Sequence, residues 1–323
     1  MSKKIILDVD TGMDDSIAIA MAAKTPEIDI LGITVVHGNQ PLEYTLENTL
    51  RVVEFLEKPI PVYAGCPEPM VQFLSPGRLM NVRRQVTQKT VGDKVITIHP
   101  KYIKLPQATI LPERKHACSY IVEMLKEARE KITIVAVGPL TNIGMALRMD
   151  PSITANIEEI VIMGGGDRHG NRTPVAEANF YDDPEAAQIV LQSGCKIRLL
   201  TLDATETVLL TKTDAQRLRK LSRTGAFMAD ILDEYIDNCT MLGITEKEEV
   251  SVHDAVAVCA VIDPSVITDI RHRNCDVDFS GGFSDGQLVV DNRSYVKVNH
   301  QTYVAYEVDK AKFLDILEET LKA

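Results

Sequence analysis

The chain has 323 residues, with 35 lysines and arginines against 46 aspartates and glutamates, for a formal net charge of −11. That length reaches one large α/β domain with a sizeable core. The acidic balance excludes a nucleic-acid partner, which needs clustered Lys and Arg against phosphate. No apolar run approaches the 18 or so residues that would span a bilayer, so no membrane partner is expected. The start "MSKKIILDVD" has too short an apolar run for a secretory signal. Cys66, Cys118, Cys195, Cys239, Cys259 and Cys275 stand singly, with no CxxC pair, which fits reduced thiols in a cytoplasmic protein.

In chain order, "KKIILDVD" reads as a short buried strand, and "MDDSIAIAMAAKTP" as a helix with acids in its first turn and Pro26 past its end. "IDILGITVVHGN" predicts a second strand, "PLEYTLENTLRVVEFLEK" an amphipathic helix and "PVYAG" a third strand. The pattern weakens over residues 66–112, where only "KVITI" looks strand-like; a variable loop or lid insertion is expected there. Alternation resumes with helix "ERKHACSYIVEMLKEAREK", strand "ITIVAVG", helix "LTNIGMALRM", strand "IEEIVIMGGG", helix "DPEAAQIVLQSG" and strand "KIRLLTLD". A largely helical stretch, about 212–262, precedes short strands "CDVDF", "QLVVD" and "YVAYEVD" and a closing helix "KAKFLDILEETLK". These alternations predict an α/β fold: one domain over 1–323, a mostly parallel central sheet with helices on both faces, and an active site at the carboxyl ends of the strands.

The densest chemistry is "LDVDTGMDDSIAIA", with Asp8, Asp10, Asp14 and Asp15 within eight positions. Asp8 and Asp10, two apart on a strand, are expected on the same side. Acids opening a helix favour its positive dipole end, which accounts for Asp14 or Asp15 but not for all four. Crowded carboxylates repel unless a cation neutralises them, and oxygen-only ligands favour calcium or magnesium over zinc. An EF-hand loop counted from Asp8 would need Glu at its twelfth position, where Ile19 stands. A phosphatase of the haloacid-dehalogenase type, with Asp8 as nucleophile and magnesium as its ion, would want Thr or Val where Gly12 stands; it is the alternative reading. "GGG" after a strand lacks the spacing of a dinucleotide site. Asp182 and Asp183 before "PEAA" are expected to cap the helix.

"DVDTGMDD" resembles the DxDxGxDD signature of the inosine-uridine-preferring nucleoside hydrolases. "HGN", "VGPLTN", "IVIMGGG", "GNRTPVAEANFYDDPEAA" and "VHDAVAV" match that family in order, from Ile5 to about Pro264. The resemblance implies hydrolysis of ribonucleosides to free base and ribose with calcium as cofactor. It implies that Asp10, Asp15, the backbone carbonyl of Val137 and Asp254 ligate the ion. Asp14 and Asn179 would hold ribose hydroxyls, with Asn39 near the attacking water and Met163 packing on the sugar. Asn171 and Glu177 would grip the 5′-hydroxyl, and His253 would assist the leaving base. Asp10 is the candidate general base, and Asp8 is expected in support behind the ligands. The chemistry agrees, since cleavage of an N-ribosyl bond builds positive charge on the sugar, as in glycoside hydrolysis. A homodimer or homotetramer is implied. A member that binds nucleoside or ribose without turnover is the non-enzymatic alternative.

Two departures concern the base. The HGxxGL stretch of pyrimidine-preferring and non-specific members is missing; "TIHPKYIKLP" offers His99 in the same interval, with Pro100 where Gly belongs. There is no tryptophan, so a base stacked on indole is excluded, and Tyr235 is the aromatic candidate. The expected substrate is uridine or another pyrimidine ribonucleoside, with broader action open.

Overall fold

The computed structural model describes residues 2–71, 74, 78, 88–92 and 94–322. Of the expected 66–112 insertion, residues 72, 73, 75–77, 79–87 and 93 therefore lie outside the described residues. The first elements are β1 (Lys3–Val9), α1 (Met13–Lys24), β2 (Ile28–Val35), α2 (Leu42–Phe55) and β3 (Val62–Ala64), followed by a hairpin of β4 (Gln88–Val91) and β5 (Lys94–Thr97). Next come α3 (Ala117–Glu127), β6 (Ile132–Ala136), α4 (Thr141–Met149), β7 (Ile157–Met163), α5 (Ala178–Asp182), α6 (Pro184–Leu191) and β8 (Ile197–Leu200). Short α7 (Leu202–Thr205), β9 (Leu209–Thr211) and α8 (Lys212–Leu218) lead to the long α9 (Arg223–Leu242), β10 (Glu249–Ser251) and α10 (His253–Ile262). The chain closes with β11 (Ile267–Arg273), β12 (Cys275–Val277), β13 (Leu288–Val290), β14 (Thr302–Val308) and α11 (Lys310–Leu321).

Eight strands form the central sheet in the order β11-β14-β8-β7-β6-β1-β2-β3. All its pairings are parallel except β11 with β14. The chain winds outward from β1 through β2 to β3, then returns to β6 and winds the other way. The order therefore reverses between β1 and β6, and in an open parallel sheet ligands bind outside the strand ends at such a switch point. Alternation along β1 serves both faces: Ile5, Leu7 and Val9 join the core beneath α1, α9 and α10, while Ile6 joins the core beneath α3, α4 and α6.

Two helices are buried nearly all round. Residues Met13 to Ala22 of α1 and Asp254 to Val261 of α10 are all buried. Their alanines, Ala18, Ala20 and Ala22 against Ala255, Ala257 and Ala260, leave room for close approach in one core. That packing carries the two N-termini to the switch point, with Asp14 and Asp15 in the first turn of one helix and Asp254 in the first turn of the other.

Candidate active site

Above the β1–β6 switch point lies a cavity of about 320 Å³. Asp10, Asp14, Asn39, Val137, Met163, Asn171, Glu177, Asn179, His253 and Asp254 all line it, so most residues singled out in the sequence converge there. Asp15 is fully buried beneath them and touches the same cluster. A larger groove, about 720 Å³, runs between β5 and α9. Its acids face Lys94 and Lys104, with Lys104 and Glu234 paired at 2.9 Å, and none of the acidic or histidine residues above reaches it. The chemistry belongs to the smaller cavity.

The turn from β1 into α1 is tied by its own carboxylates. Asp15 accepts the Gly12 N–H at 2.8 Å and the Asp10 N–H at 3.2 Å, folding a side chain from the first helical turn back over the strand end. The Asn39 amide bridges to the same pair, its backbone N–H donating to Asp10 at 2.6 Å and its Nδ2 to Asp15 at 3.1 Å. Gly12 is required by space, because a Cβ there would stand 2.3 Å from His99 Nδ1.

Asp14, Asp15 and Asp254 bring carboxylate oxygens within 4.8 Å of one another. Burial raises the pKa of every acid in the group, and neighbouring carboxylates raise Asp10, Asp14 and Asp254 further. Asp10 and Asp254 move well above the usual carboxylate range and Asp14 to about 8. Asp15 rises less, because the Gly12 and Asp10 N–H groups favour its charged form. Asp14 Oδ1 is fully buried without a hydrogen-bond partner. A buried orphan oxygen among crowded carboxylates is the environment a hard cation relieves, so the donor set fits a divalent ion of the calcium or magnesium type.

Another part of the cavity is organised by the strand ends of β6 and β7. Asn179 Nδ2 donates to the Val137 carbonyl at 2.8 Å and to the Met163 carbonyl at 3.0 Å, joining the two strand ends. Glu177 caps α5, accepting Asn179 N–H at 2.9 Å and Phe180 N–H at 3.2 Å, and takes the Gly165 N–H at 2.9 Å as well. Gly165 sits at φ +71°, the left-handed turn that glycine permits and that aims this N–H at Glu177. Asn171 is more exposed, and its Oδ1 accepts the Ala178 N–H at 3.0 Å.

Two histidines face the cavity in neutral form. Burial lowers His99 to about 3 and His253 to about 4. His99 Nδ1 accepts the Met13 N–H at 3.1 Å, and its ring lies 5.6 Å from that of Tyr235. His253 Nδ1 shares a hydrogen bond of 2.7 Å with the Thr205 hydroxyl. His99 and Tyr235, the two base-side candidates, thus form one wall with Ile98, Cys239 and Ile244.

Two expectations need correction. Strand β1 ends at Val9, so Asp10 lies beyond it, and the expected common side for Asp8 and Asp10 is not found. Asp8 instead faces α4, accepting Thr34 Oγ1 and, at 2.8 Å, Asn142 Nδ2; it is fully buried outside the cavity, where no substrate phosphate could reach it. Asp183 does cap α6 through the Ala186 N–H at 3.0 Å, but Asp182 pairs with Arg172 at 3.3 Å. Arg172, Glu206 and Ile244 line the cavity and were not singled out. Arg172 had a signal, a lone cation inside "GNRTPVAEAN"; Ile244 had none.

The α/β domain thus carries a polar cavity at its switch point, over carboxylates and amides suited to a hard cation and a polar ligand. Residues 5–315 match the family model "Inosine-uridine preferring nucleoside hydrolase", somewhat beyond the range the motifs covered, and the chain belongs to that family. It is 36% identical over 324 residues to the pyrimidine-specific ribonucleoside hydrolase RihB of Escherichia coli (strain SE11), covering 99% of this chain and 97% of that protein. Its fold superposes on a plant nucleoside hydrolase, PpNRh1, with a TM-score of 0.84 at 27% identity over the whole of both chains. It also matches a purine-preferring ribonucleoside hydrolase from Gardnerella vaginalis, TM-score 0.82 at 29% identity over 99% of each chain. The protein is an enzyme of nucleoside hydrolysis. Among the described residues, no helix is long and apolar enough to cross a membrane.

Proposed function

We propose that this enzyme cleaves the N-glycosidic bond of pyrimidine ribonucleosides such as uridine, releasing free base and ribose, with calcium as its ion. The observation that carries this reading is the meeting of Asp14, Asp15 and Asp254 around an Asp14 oxygen buried without a hydrogen-bond partner, with Asp10 lining the same cavity. Asp10, Asp15, Asp254 and the Val137 carbonyl would hold the ion. Calcium bound there would supply charge that lowers the pKa of a water and fixes the ribose hydroxyls.

Asp10 takes the proton from the attacking water, as a carboxylate that lines the cavity beside the ion's other ligands. The new bond joins that oxygen to C1′ as the C1′–N bond breaks, and the bonding pair leaves with the base. Asp14 and Asn179 hold the 2′- and 3′-hydroxyls, and Asn39 positions the water beside Asp10. Met163 packs on the sugar, while Asn171 and Glu177 take the 5′-hydroxyl, whose remote binding energy is directed to the transition state. Glu177 has the capacity, since its three N–H bonds use three of about four carboxylate lone-pair sites.

With the Thr205 hydroxyl donating to Nδ1 of His253, the other ring nitrogen carries the proton and donates a hydrogen bond to the departing base. The pyrimidine preference rests on the likeness to RihB and on a base-side wall whose aromatic groups are His99 and Tyr235. The 66–112 segment supplies Ile98 and His99 to that wall, so it acts as the base-side insertion of the domain. A cytoplasmic homodimer or homotetramer completes the proposal. The test is a panel of uridine, cytidine, inosine, adenosine and guanosine assayed for released ribose with calcium present. Uridine and cytidine should lead; equal or faster release from the purine nucleosides would overturn the preference, and no release from any would overturn the activity.

A further inference from the structure

A cluster of a different chemical character lies at the other side of β1. Cys66 follows β3, and His116 and Cys118 open α3. The two sulfurs are 3.7 Å apart, and the three residues bring ligand atoms within 4.8 Å of one another. Two thiolates on a tetrahedral zinc ion, each at about 2.3 Å, stand about 3.8 Å apart. The sulfur spacing therefore already matches a zinc-bound dithiolate, with no backbone movement between the two cysteines.

We propose that Cys66, His116 and Cys118 form a second metal site, selective for a thiophilic divalent ion such as Zn²⁺. The donor set distinguishes it from the cavity floor: thiolate and imidazole select zinc, whereas the carboxylates and carbonyl below the sugar select a hard ion. Cys118 is buried, Cys66 half-buried and His116 exposed, so the three donors leave one side open to solvent for a fourth ligand. The site is held from behind by Asn142, whose Oδ1 accepts the Cys66 N–H at 2.8 Å and lies 3.9 Å from the Cys118 sulfur. The same amide donates to Asp8 at 2.8 Å, so the site is anchored on the strand that leads to the active-site turn.

The site also has a consequence for the chain. Cys66 stands at one end of the 66–112 excursion, and His116 and Cys118 stand just past the other. An ion bound by all three clips the base of this long connection, and metal clips that close long loops reduce the freedom of the unfolded chain most.

Cobalt titration of the reduced, full-length, calcium-saturated protein tests the site, because thiolate-to-cobalt charge-transfer absorption reports sulfur ligation and cannot arise at the carboxylate floor. One equivalent of Co²⁺ should produce that absorption, and Zn²⁺ should bleach it. Cys66→Ser and Cys118→Ser should each abolish it, His116→Ala should weaken cobalt binding at least about tenfold, and Cys195→Ser should leave it intact. Ribose release by the Cys66→Ser variant should match the parent, which shows that this half-buried substitution has left the fold in place. No charge-transfer absorption in the reduced parent, or absorption that persists in Cys66→Ser, would overturn the proposal. Formation of a Cys66–Cys118 disulfide with no cobalt absorption in the reduced state would likewise overturn it, in favour of a redox pair. These outcomes are independent of which nucleoside the enzyme cleaves.

Discussion

The floor and the base-side wall of the cavity are built in opposite ways. The floor comes from the ends of β1, β6 and β7 and the first turns of α1 and α10, and its polar atoms are pinned by backbone N–H groups and amides. The wall comes from Ile98 and His99 beyond a hairpin, Tyr235 and Cys239 on α9, and Ile244 just past it. It meets the floor through His99, whose Nδ1 accepts the Met13 N–H at 3.1 Å and lies 4.0 Å from Asp14 Oδ1. In the proposed reading, sugar chemistry falls to strand ends and helix first turns converging on a switch point, while base choice falls to one helix face and the chain beside it. A purine-preferring hydrolase shares the fold of this chain, which is itself 36% identical to a pyrimidine-specific one, so the shared frame does not decide the base.

That contrast can be broken most forcefully at the floor. Asp10→Ala removes the proposed base and one arm of the carboxylate cluster, and kcat for uridine should fall by about 10³ or more while the protein stays folded. A fall under tenfold in steady-state ribose release would remove Asp10 from the mechanism. His253→Ala, at the junction of floor and wall, should lower kcat by about 10² for uridine. The loss should shrink for a ribosyl compound whose leaving group needs no hydrogen bond, such as a nitrophenyl riboside. An equal loss on both substrates would show that His253 only packs.

The floor, with Asp8 buried behind it, also sets a pH dependence. Unfolded aspartates titrate near 3.9, whereas in the folded, cation-free protein Asp8 is raised to about 7 and Asp14 to about 8. Between those values the folded state binds more protons than the unfolded one, so stability falls as pH rises, by up to about 1.4 kcal/mol per pH unit for each such group. Chelated protein should therefore melt lower near pH 8 than near pH 5, and calcium should restore more stability at the higher pH. Thermal melts at both values check this; a chelated protein that gains stability towards pH 8 would refute it. The wall gives the smallest effect. His99→Ala should change the uridine-to-inosine ratio of kcat/KM by about tenfold, with less effect on ribose held alone; a uniform loss on both nucleosides would place His99 with the floor.

Legibility in the sequence followed the same division. The floor could be read because Asp10, Asp14, Asp15 and Asp254 stand beside strong strand and helix signals, and their crowding has no cheap structural explanation. What failed there was local geometry: one residue of strand length moved Asp8 to the far side, where Thr34 and Asn142 hold it. β11 escaped because "ITDIRHR" is a half-exposed edge strand, mixing charge with apolar residues and pairing antiparallel to its neighbour. The wall was mostly hidden because Ile98, Cys239 and Ile244 are residue types that normally fill cores. Only their position in three dimensions makes them lining.

The most direct test of the central claim compares uridine with 2′-deoxyuridine under identical conditions with calcium present. A floor built to hold the ribose diol leaves buried polar groups unpaired when the 2′-hydroxyl is missing, so kcat/KM should fall by about 10⁴ for the deoxynucleoside. Comparable rates on the two substrates would contradict the account, because the acid cluster would then not be holding the sugar.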